Sequence, residues 1–213
     1  MYSTSEITKI STMQDRSKST NLVALANLAL AISRAVSMPR DMTGDEPEVL
    51  RKLQICGHPN VAAAVEAFAQ AWEDALEDQD SLSVSYARLF LGPFEILASP
   101  YASFYLEENQ QLMGEVSNTV ATAYADAGLK PGAGPREAPD HVALEWEFVY
   151  YLMHQYLSTQ DVEWLNKRDH FVSTHMSRWV PDLCVMIENT SEHQFYESWV
   201  NLVVAVWPLY SKS

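Results

Sequence analysis

His141 and Glu145 form the most suggestive pair of chemically active residues in the sequence. Side chains four positions apart lie one turn apart on the same face of a helix, where an imidazole and a carboxylate could hold a divalent metal ion. A structural role is commoner for such residues. Asp140 and His141 follow Pro139, and an acidic side chain in the first turn of a helix stabilises the free N–H groups there. We therefore predict no metal site.

The motifs of common catalytic centres are missing. The sequence has no HExxH, no ExxH, no Walker-type glycine loop and no GxSxG. Zinc proteolysis, di-iron chemistry, P-loop nucleotide hydrolysis and serine hydrolysis therefore lack their usual residues. His170 and His175 are five positions apart and diverge around a helix, which indicates surface or core histidines. The sequence therefore gives no support for hydrolytic chemistry.

Charge and cysteine content narrow the range of partners. The net charge is −14, and the segments 41–80 and 81–147 carry −8 and −6 of it, so the chain disfavours nucleic acid and favours a basic partner. Cys56 and Cys184 form no CxxC pair and fit buried thiols of a reduced cytosolic protein. The apolar run 22–36 contains polar residues and is too short to span a bilayer, so we predict no stable membrane insertion.

Helical periodicity runs through most of the chain. Helices must therefore position any functional site. The first stripe comprises Leu22, Leu25, Ala26, Ala29, Ser33 and Val36, which predicts an amphipathic helix. Residues 82–90 continue at helical spacing up to Gly92-Pro93. Ser117 is a predicted N-cap and Gly128 a predicted C-terminal stop, while SEHQ at 191–194 has the spacing of a capping box. No segment has a convincing strand pattern.

Glycine and proline cluster in GLKPGAGPREAP, residues 128–139. Such breakers favour a hinge between two helical halves. We therefore predict an all-α bundle of about nine to eleven helices, with an N-terminal half over 1–127, a hinge over 128–139 and a C-terminal half over 140–213. A long hinge would also allow a domain-swapped dimer beside the monomer.

Residues 98–115, ASPYASFYLEENQQLMGE, follow neither a helix period nor a strand period. The stretch 86–115, YARLFLGPFEILASPYASFYLEENQQLMGE, is followed by EAPDHVALEWEFVYYL at 137–152, and the two blocks together resemble the TorD/DmsD-type redox-enzyme maturation chaperones, distant relatives of the NarJ group. The later stretch 170–207 resembles the C-terminal pattern of that family, with a histidine, a Trp-x-Pro and a Phe-Tyr before the last helix. The resemblance covers roughly residues 86–207.

The resemblance implies an all-helical cytoplasmic chaperone that binds the twin-arginine signal peptide and the immature body of a molybdenum-cofactor oxidoreductase until the cofactor is loaded. It implies that the protein is not an enzyme. An apolar, aromatic groove beside negative charge suits a peptide that has basic and apolar parts. Residues implied to line or shape the groove are Tyr86, Leu89, Phe90, Pro93, Pro100, Tyr101, Phe104 and Tyr105, with Gly92 and Gly114 turning the backbone. Residues implied to attract the arginine pair are Glu107, Glu108, Glu137, Asp140 and Glu145, with Pro139, Asp140 and His141 at the binding motif.

Several alternatives stay open at this point. At least half of Tyr86, Leu89, Phe90, Phe104 and Tyr105 are expected to be substantially buried, because aromatic residues of helical proteins are more often core than binding surface. Asp140 and His141 could serve only to cap and brace a helix. The chain could also be a non-catalytic subunit or scaffold of a redox complex. Weak binding of GTP or a molybdopterin cofactor follows from the resemblance alone, since no phosphate-binding loop is evident beyond GAG at 132–134.

Overall fold

The fold is all-α, as predicted. A computed structural model describes residues 21–53, 55, 57–92, 96–108, 113–130 and 137–211. Within these ranges there is no β-strand, and a single isolated β-bridge joins Tyr101 to His141. Also within these ranges, no helix combines the length and the apolar character that crossing a membrane requires.

Ten α-helices lie in the described ranges, within the predicted number. They are α1 (21–35), α2 (Glu46–Lys52), α3 (Pro59–Glu77), α4 (Gln79–Tyr86), α5 (Ala102–Leu106), α6 (Glu115–Asp126), α7 (Val142–Thr159), α8 (Glu163–Thr174), α9 (Val180–Thr190) and α10 (Gln194–Tyr210). Short 3₁₀-helices cover Pro39–Asp41 and Met176–Arg178. The predicted stripe of α1 is confirmed, since Leu25, Ala26, Ala29, Ser33 and Val36 are all buried.

A π-helix, Ala87–Leu91, continues α4 and ends at Gly92, where φ is +42°. This agrees with the prediction that helical structure runs through residues 82–90 up to Gly92-Pro93, although Pro93 itself lies outside the described residues. π-helical turns are rare and are frequent at functional sites. Residues 88 and 89 therefore sit in an uncommon backbone geometry.

The core joins helices from both ends of the chain. Nε1 of Trp199 donates to the carbonyl of Ile32 at 3.0 Å, and the hydroxyl of Tyr210 donates to the carbonyl of Leu25. Phe68, Trp72 and Phe195 pack ring to ring between α3 and α10, with centroids 5.5 to 5.6 Å apart. Residues on both sides of segment 128–139 thus contribute to one core.

Two predicted helix caps are wrong, and one helix stop is confirmed. Helix α6 begins after Gly114, three residues before the predicted cap Ser117, whose hydroxyl instead donates to Asp140. The N-cap of α10 is His193 rather than Ser191, because Nδ1 of His193 accepts the N–H of Phe195. Gly128 has φ +82° and follows α6, as predicted. Of the predicted hinge, residues 131–136 lie outside the described residues, so the division into halves stays a prediction.

Candidate functional site

The two sequence blocks that carry the resemblance meet in space. The N–H of Ala102 donates to the carbonyl of Asp140 at 3.0 Å, and the N–H of Val142 donates to the carbonyl of Pro100 at 2.8 Å. These bonds flank the bridge between Tyr101 and His141. We call this contact between residues 98–105 and 137–145 the junction. It fixes the start of α7 against the start of α5.

Asp140 is fully buried at the centre of the junction. One carboxylate oxygen accepts the N–H of Ser103 at 2.9 Å, and the other accepts the hydroxyl of Ser117. Hydrogen bonds to a carboxylate are stronger than those between neutral groups. Asp140 therefore holds α5, α6 and α7 together.

His141 is buried and forms the N-cap of α7, where its Nδ1 accepts the N–H of Ala143 at 3.1 Å. Its ring packs edge to face with the ring of Tyr101, with centroids 5.1 Å apart. Burial lowers the pKa of His141, and the negative charges of Glu137 and Asp140 partly oppose that shift. A neutral ring suits the cap, since Nδ1 must be unprotonated to accept a hydrogen bond.

Glu145 is also fully buried, one turn along α7. Its Oε1 lies 2.6 Å from Nε2 of His175, and its Oε2 accepts Nε1–H of Trp179 at 3.1 Å. Burial raises the pKa of Glu145 to about 7, and the hydrogen bond and charge of His175 limit that rise. His141 and Glu145 thus have separate partners. No group of three potential metal ligands occurs among the residues the structure describes.

The apolar residues implied to form a groove divide into two sets. Tyr86, Leu89 and Phe90 are buried, which confirms the expectation that at least half of the five would be. Tyr101, Phe104 and Tyr105 are half-buried. The hydroxyl of Tyr105 donates to the carbonyl of Ser99 at 2.9 Å, and its ring lies 5.5 Å from that of Trp179. Pro100 is buried and Pro139 is half-buried.

The acidic residues implied to attract arginine have different environments. Glu107 accepts the N–H of Val116 at 3.0 Å and so serves the start of α6. Gly114 allows this approach, because a Cβ there would lie 2.2 Å from Oε2 of Glu107. Glu108 and Glu137 are exposed, and Glu137 accepts the hydroxyl of Tyr101. Asp140 and Glu145 have no exposed surface.

Sequence reasoning did not single out His175, Trp179, Ser103 and Ser117 as partners of the buried carboxylates. His175 and Trp179 fall in the stretch 170–207 whose histidine and Trp-x-Pro were noted, so a partial signal existed. Ser103 lies within the first block but was assigned no role, and Ser117 was predicted only as a helix cap. Their pairing with Asp140 depends on how three separate helices meet, which spacing along the chain does not reveal.

Comparisons with other proteins agree with the resemblance. The sequence model of the family described as nitrate reductase delta subunit matches residues 58–185. The chaperone protein TorD of Vibrio parahaemolyticus is 25% identical over 151 residues, 69% of this chain and 70% of that protein. The chaperone protein TorD of Photobacterium profundum is 27% identical over 157 residues, 69% of this chain and 71% of that protein.

A crystal structure from Archaeoglobus fulgidus, described as a redox enzyme maturation protein, has a similar fold. The TM-score is 0.50, and the match covers 84% of this chain and 90% of that chain at 20% sequence identity. At this identity the likeness concerns the fold alone. It places the helices described above in an architecture that a crystal structure has already shown.

Proposed function

The chain belongs to the nitrate reductase delta subunit family, and on that basis we propose that it is a cytoplasmic maturation chaperone that binds the twin-arginine signal peptide and the immature body of a molybdenum-cofactor oxidoreductase. The observation that carries the proposal is the family match over residues 58–185, which includes the entire junction. Relatives named chaperone protein TorD support it. Binding without turnover is the whole of the proposed activity.

The surface of the junction has the chemistry that such a peptide needs. Tyr101, Phe104 and Tyr105 keep part of their aromatic surface accessible, and the exposed carboxylates of Glu108 and Glu137 are close to them in sequence or in space. Apolar side chains of a peptide gain free energy by covering aromatic surface, and nearby negative charge favours a basic segment. The net charge of −14 strengthens this attraction at long range.

The buried residues of the proposed site support the binding surface and do not contact the peptide themselves. Asp140, His141 and Glu145 fix the start of α7, while Tyr86, Leu89 and Phe90 are buried, and Phe90 packs against the ring of Tyr196. Rigid support reduces the entropy lost when a ligand binds. In this proposal Asp140 and His141 hold the binding surface in shape.

Titration calorimetry tests the proposal directly. The purified protein is titrated with a synthetic peptide of two consecutive arginines followed by an apolar run, and with a matched peptide whose arginines are replaced by alanine. We expect binding that weakens as salt rises, because part of the attraction is between charges. Failure of the arginine peptide to bind at low salt would contradict signal-peptide recognition.

A fixed subunit of a redox complex is the second candidate, and the family description as a delta subunit favours it. The two functions differ in when the partner is released. A chaperone should co-purify with the cofactor-free enzyme and be absent from the mature enzyme, whereas a subunit should remain in the mature complex at fixed stoichiometry. Affinity purification from the native cytoplasm, followed by quantification of both chains, separates them.

A further inference from the structure

A groove lies on a different surface, between α4 with its π-helix and the loop that joins α9 to α10. Its volume is about 420 Å³. Its apolar lining includes Val84, which is 70% exposed, and the buried Leu89. Its charged lining comprises Asp80, Arg88 and Glu192. Apart from Leu89, the resemblance implied none of these residues in binding. We call this hollow the α4 groove.

The α4 groove contains an ion pair between the guanidinium and the carboxylate of two residues of this chain. Nη1 of Arg88 lies 2.6 Å from Oε2 of Glu192, and Nη2 lies 3.1 Å from Oε1. The two residues are 104 positions apart, and their side chains are 52% and 73% exposed. This parallel two-bond geometry is the one that a carboxylate offers to any arginine. An arginine from outside the chain would make the same two bonds to Glu192 if it replaced Arg88.

The negative charge around this ion pair favours binding of a cationic side chain from another molecule. A second hollow of about 260 Å³ adjoins Glu192 and His193, and Asp74 and Asp78 line it. Among the described residues that line the two hollows, Arg88 is the one lysine or arginine, against four carboxylates. An exposed ion pair contributes little net free energy, so replacing Arg88 by another guanidinium costs little.

The backbone geometry of the groove and its position next to the junction also favour a binding role. Arg88 belongs to the π-helix, a geometry found frequently at functional sites. Leu89, which follows it and lines the groove, accepts the N–H of Ala98 in the junction at 2.9 Å, so the groove and the junction adjoin. A single extended peptide could therefore contact both surfaces.

We propose that the α4 groove binds an arginine side chain of the signal peptide, and that Arg88 competes with that arginine for Glu192. The inference rests on the function proposed above and names a second contact for the same ligand. Lysine is a poorer occupant, because its ammonium cannot make the paired bonds of a guanidinium. A ligand must bind Glu192 strongly enough to displace Arg88. This requirement favours peptides with arginine over other basic segments.

Substitutions on the two sides of the pair distinguish competition from a structural role. Calorimetry with the arginine peptide should show about threefold tighter binding by Arg88→Ala and about fivefold weaker binding by Glu192→Gln. The double variant should resemble Glu192→Gln. A purely structural ion pair would make both single variants change binding in the same direction.

Matched controls separate groove contacts from changes in net charge. Arg51→Ala and Glu73→Gln alter an ion pair between α2 and α3, outside the groove, by the same charges, and both should bind the peptide as the wild type does. If the groove variants match these controls while the wild type binds the peptide, the groove proposal is overturned and the proposed function stands. If the wild type binds neither the arginine peptide nor its double-lysine variant, both are overturned. Equal affinity for the two peptides overturns the role of the guanidinium.

Discussion

Glu145 and His175 face each other inside the protein, with Oε1 of the first 2.6 Å from Nε2 of the second. They are 30 positions apart and join α7 to the end of α8. Trp179 completes the contact by donating Nε1–H to the other carboxylate oxygen. A buried carboxylate with these partners links the start of α7 to the turn before α9.

The first prediction concerns stability against pH. Burial raises the pKa of Glu145 to about 7 in the folded protein, above the ordinary value of about 4.3 for an unfolded chain. Between these values the folded state binds more protons, so the contribution of Glu145 to the free energy of unfolding falls as pH rises. The lowered pKa of His141 acts in the opposite direction, so the fall is read from the difference in free energy of unfolding between the wild type and Glu145→Gln. Urea unfolding from pH 5 to 7.5 should show this difference change by about 2 to 3 kcal/mol.

Glu145→Gln should remove most of this pH dependence, because glutamine does not titrate. The control is Glu147→Gln, an exposed residue of the same helix, which should leave the slope unchanged. Parallel curves for the wild type and Glu145→Gln over this pH range would contradict the assignment.

The second prediction concerns the carboxylate of Asp140. Its two oxygens accept from Ser103 N–H and Ser117 Oγ, and an asparagine would direct N–H groups at one of these donors. Asp140→Asn should therefore lower the free energy of unfolding by about 1 to 3 kcal/mol. Chemical denaturation measures the loss. Asp126→Asn, at an exposed position of α6, should be close to neutral.

Ser117→Ala should cost about 1 kcal/mol, and the double variant should cost less than the sum of the two single variants. Strict additivity would show that the hydrogen bond between Ser117 and Asp140 contributes nothing to stability.

The sequence predicted the helices well and their ends less well, for a physical reason. Apolar periodicity is a local property, so the buried stripe of α1 and the stop at Gly128 could be recognised directly. The cap of α6 depends on Glu107, which belongs to a different loop, and the cap of α10 depends on a histidine ring. The family resemblance singled out both blocks of the junction, although not their contact. It could not reveal that Asp140 would be fully buried, since burial depends on how three helices meet.

The third prediction concerns Gly114 and Glu107. Alanine at position 114 would place its Cβ 2.2 Å from Oε2 of Glu107, so the carboxylate must move away from the N–H of Val116. Gly114→Ala should cost about 1 kcal/mol of stability, the usual effect of losing an N-terminal cap. In a Glu107→Ala background the same change should cost nothing. Gly44→Ala is the control, because no atom lies within 4 Å of its Cβ position.

The fourth prediction compares two buried tryptophans. Trp199 donates Nε1–H to Ile32, whereas Nε1 of Trp146 has no hydrogen-bond partner among the described residues. Both side chains are fully buried. Trp199→Phe should therefore destabilise the protein more than Trp146→Phe, by about 1 kcal/mol, because it leaves a carbonyl unpaired. Trp146→Ala should cost about 3 to 5 kcal/mol through the cavity it leaves. Equal melting temperatures for the two phenylalanine variants would argue against this.

The last prediction concerns assembly. The hydroxyl of Ser33 donates to the carbonyl of Ala143 at 2.7 Å, and α1 also receives hydrogen bonds from α10. These contacts join residues before the predicted hinge to residues after it. If segment 140–213 of one chain packs on segment 1–127 of another, the same contacts form between chains. We therefore expect a monomer at low concentration and a domain-swapped dimer after concentrated refolding.

Size-exclusion chromatography with light scattering measures the two forms. Replacing residues 131–135 by a shorter linker should raise the dimer fraction, because a short connection prevents segment 140–213 from folding back on its own chain. A lengthened linker of the same composition is the matched control and should favour the monomer. A monomer under all these conditions would rule out swapping. It would leave the chaperone proposal intact, because a single monomer contains both the junction and the α4 groove in full.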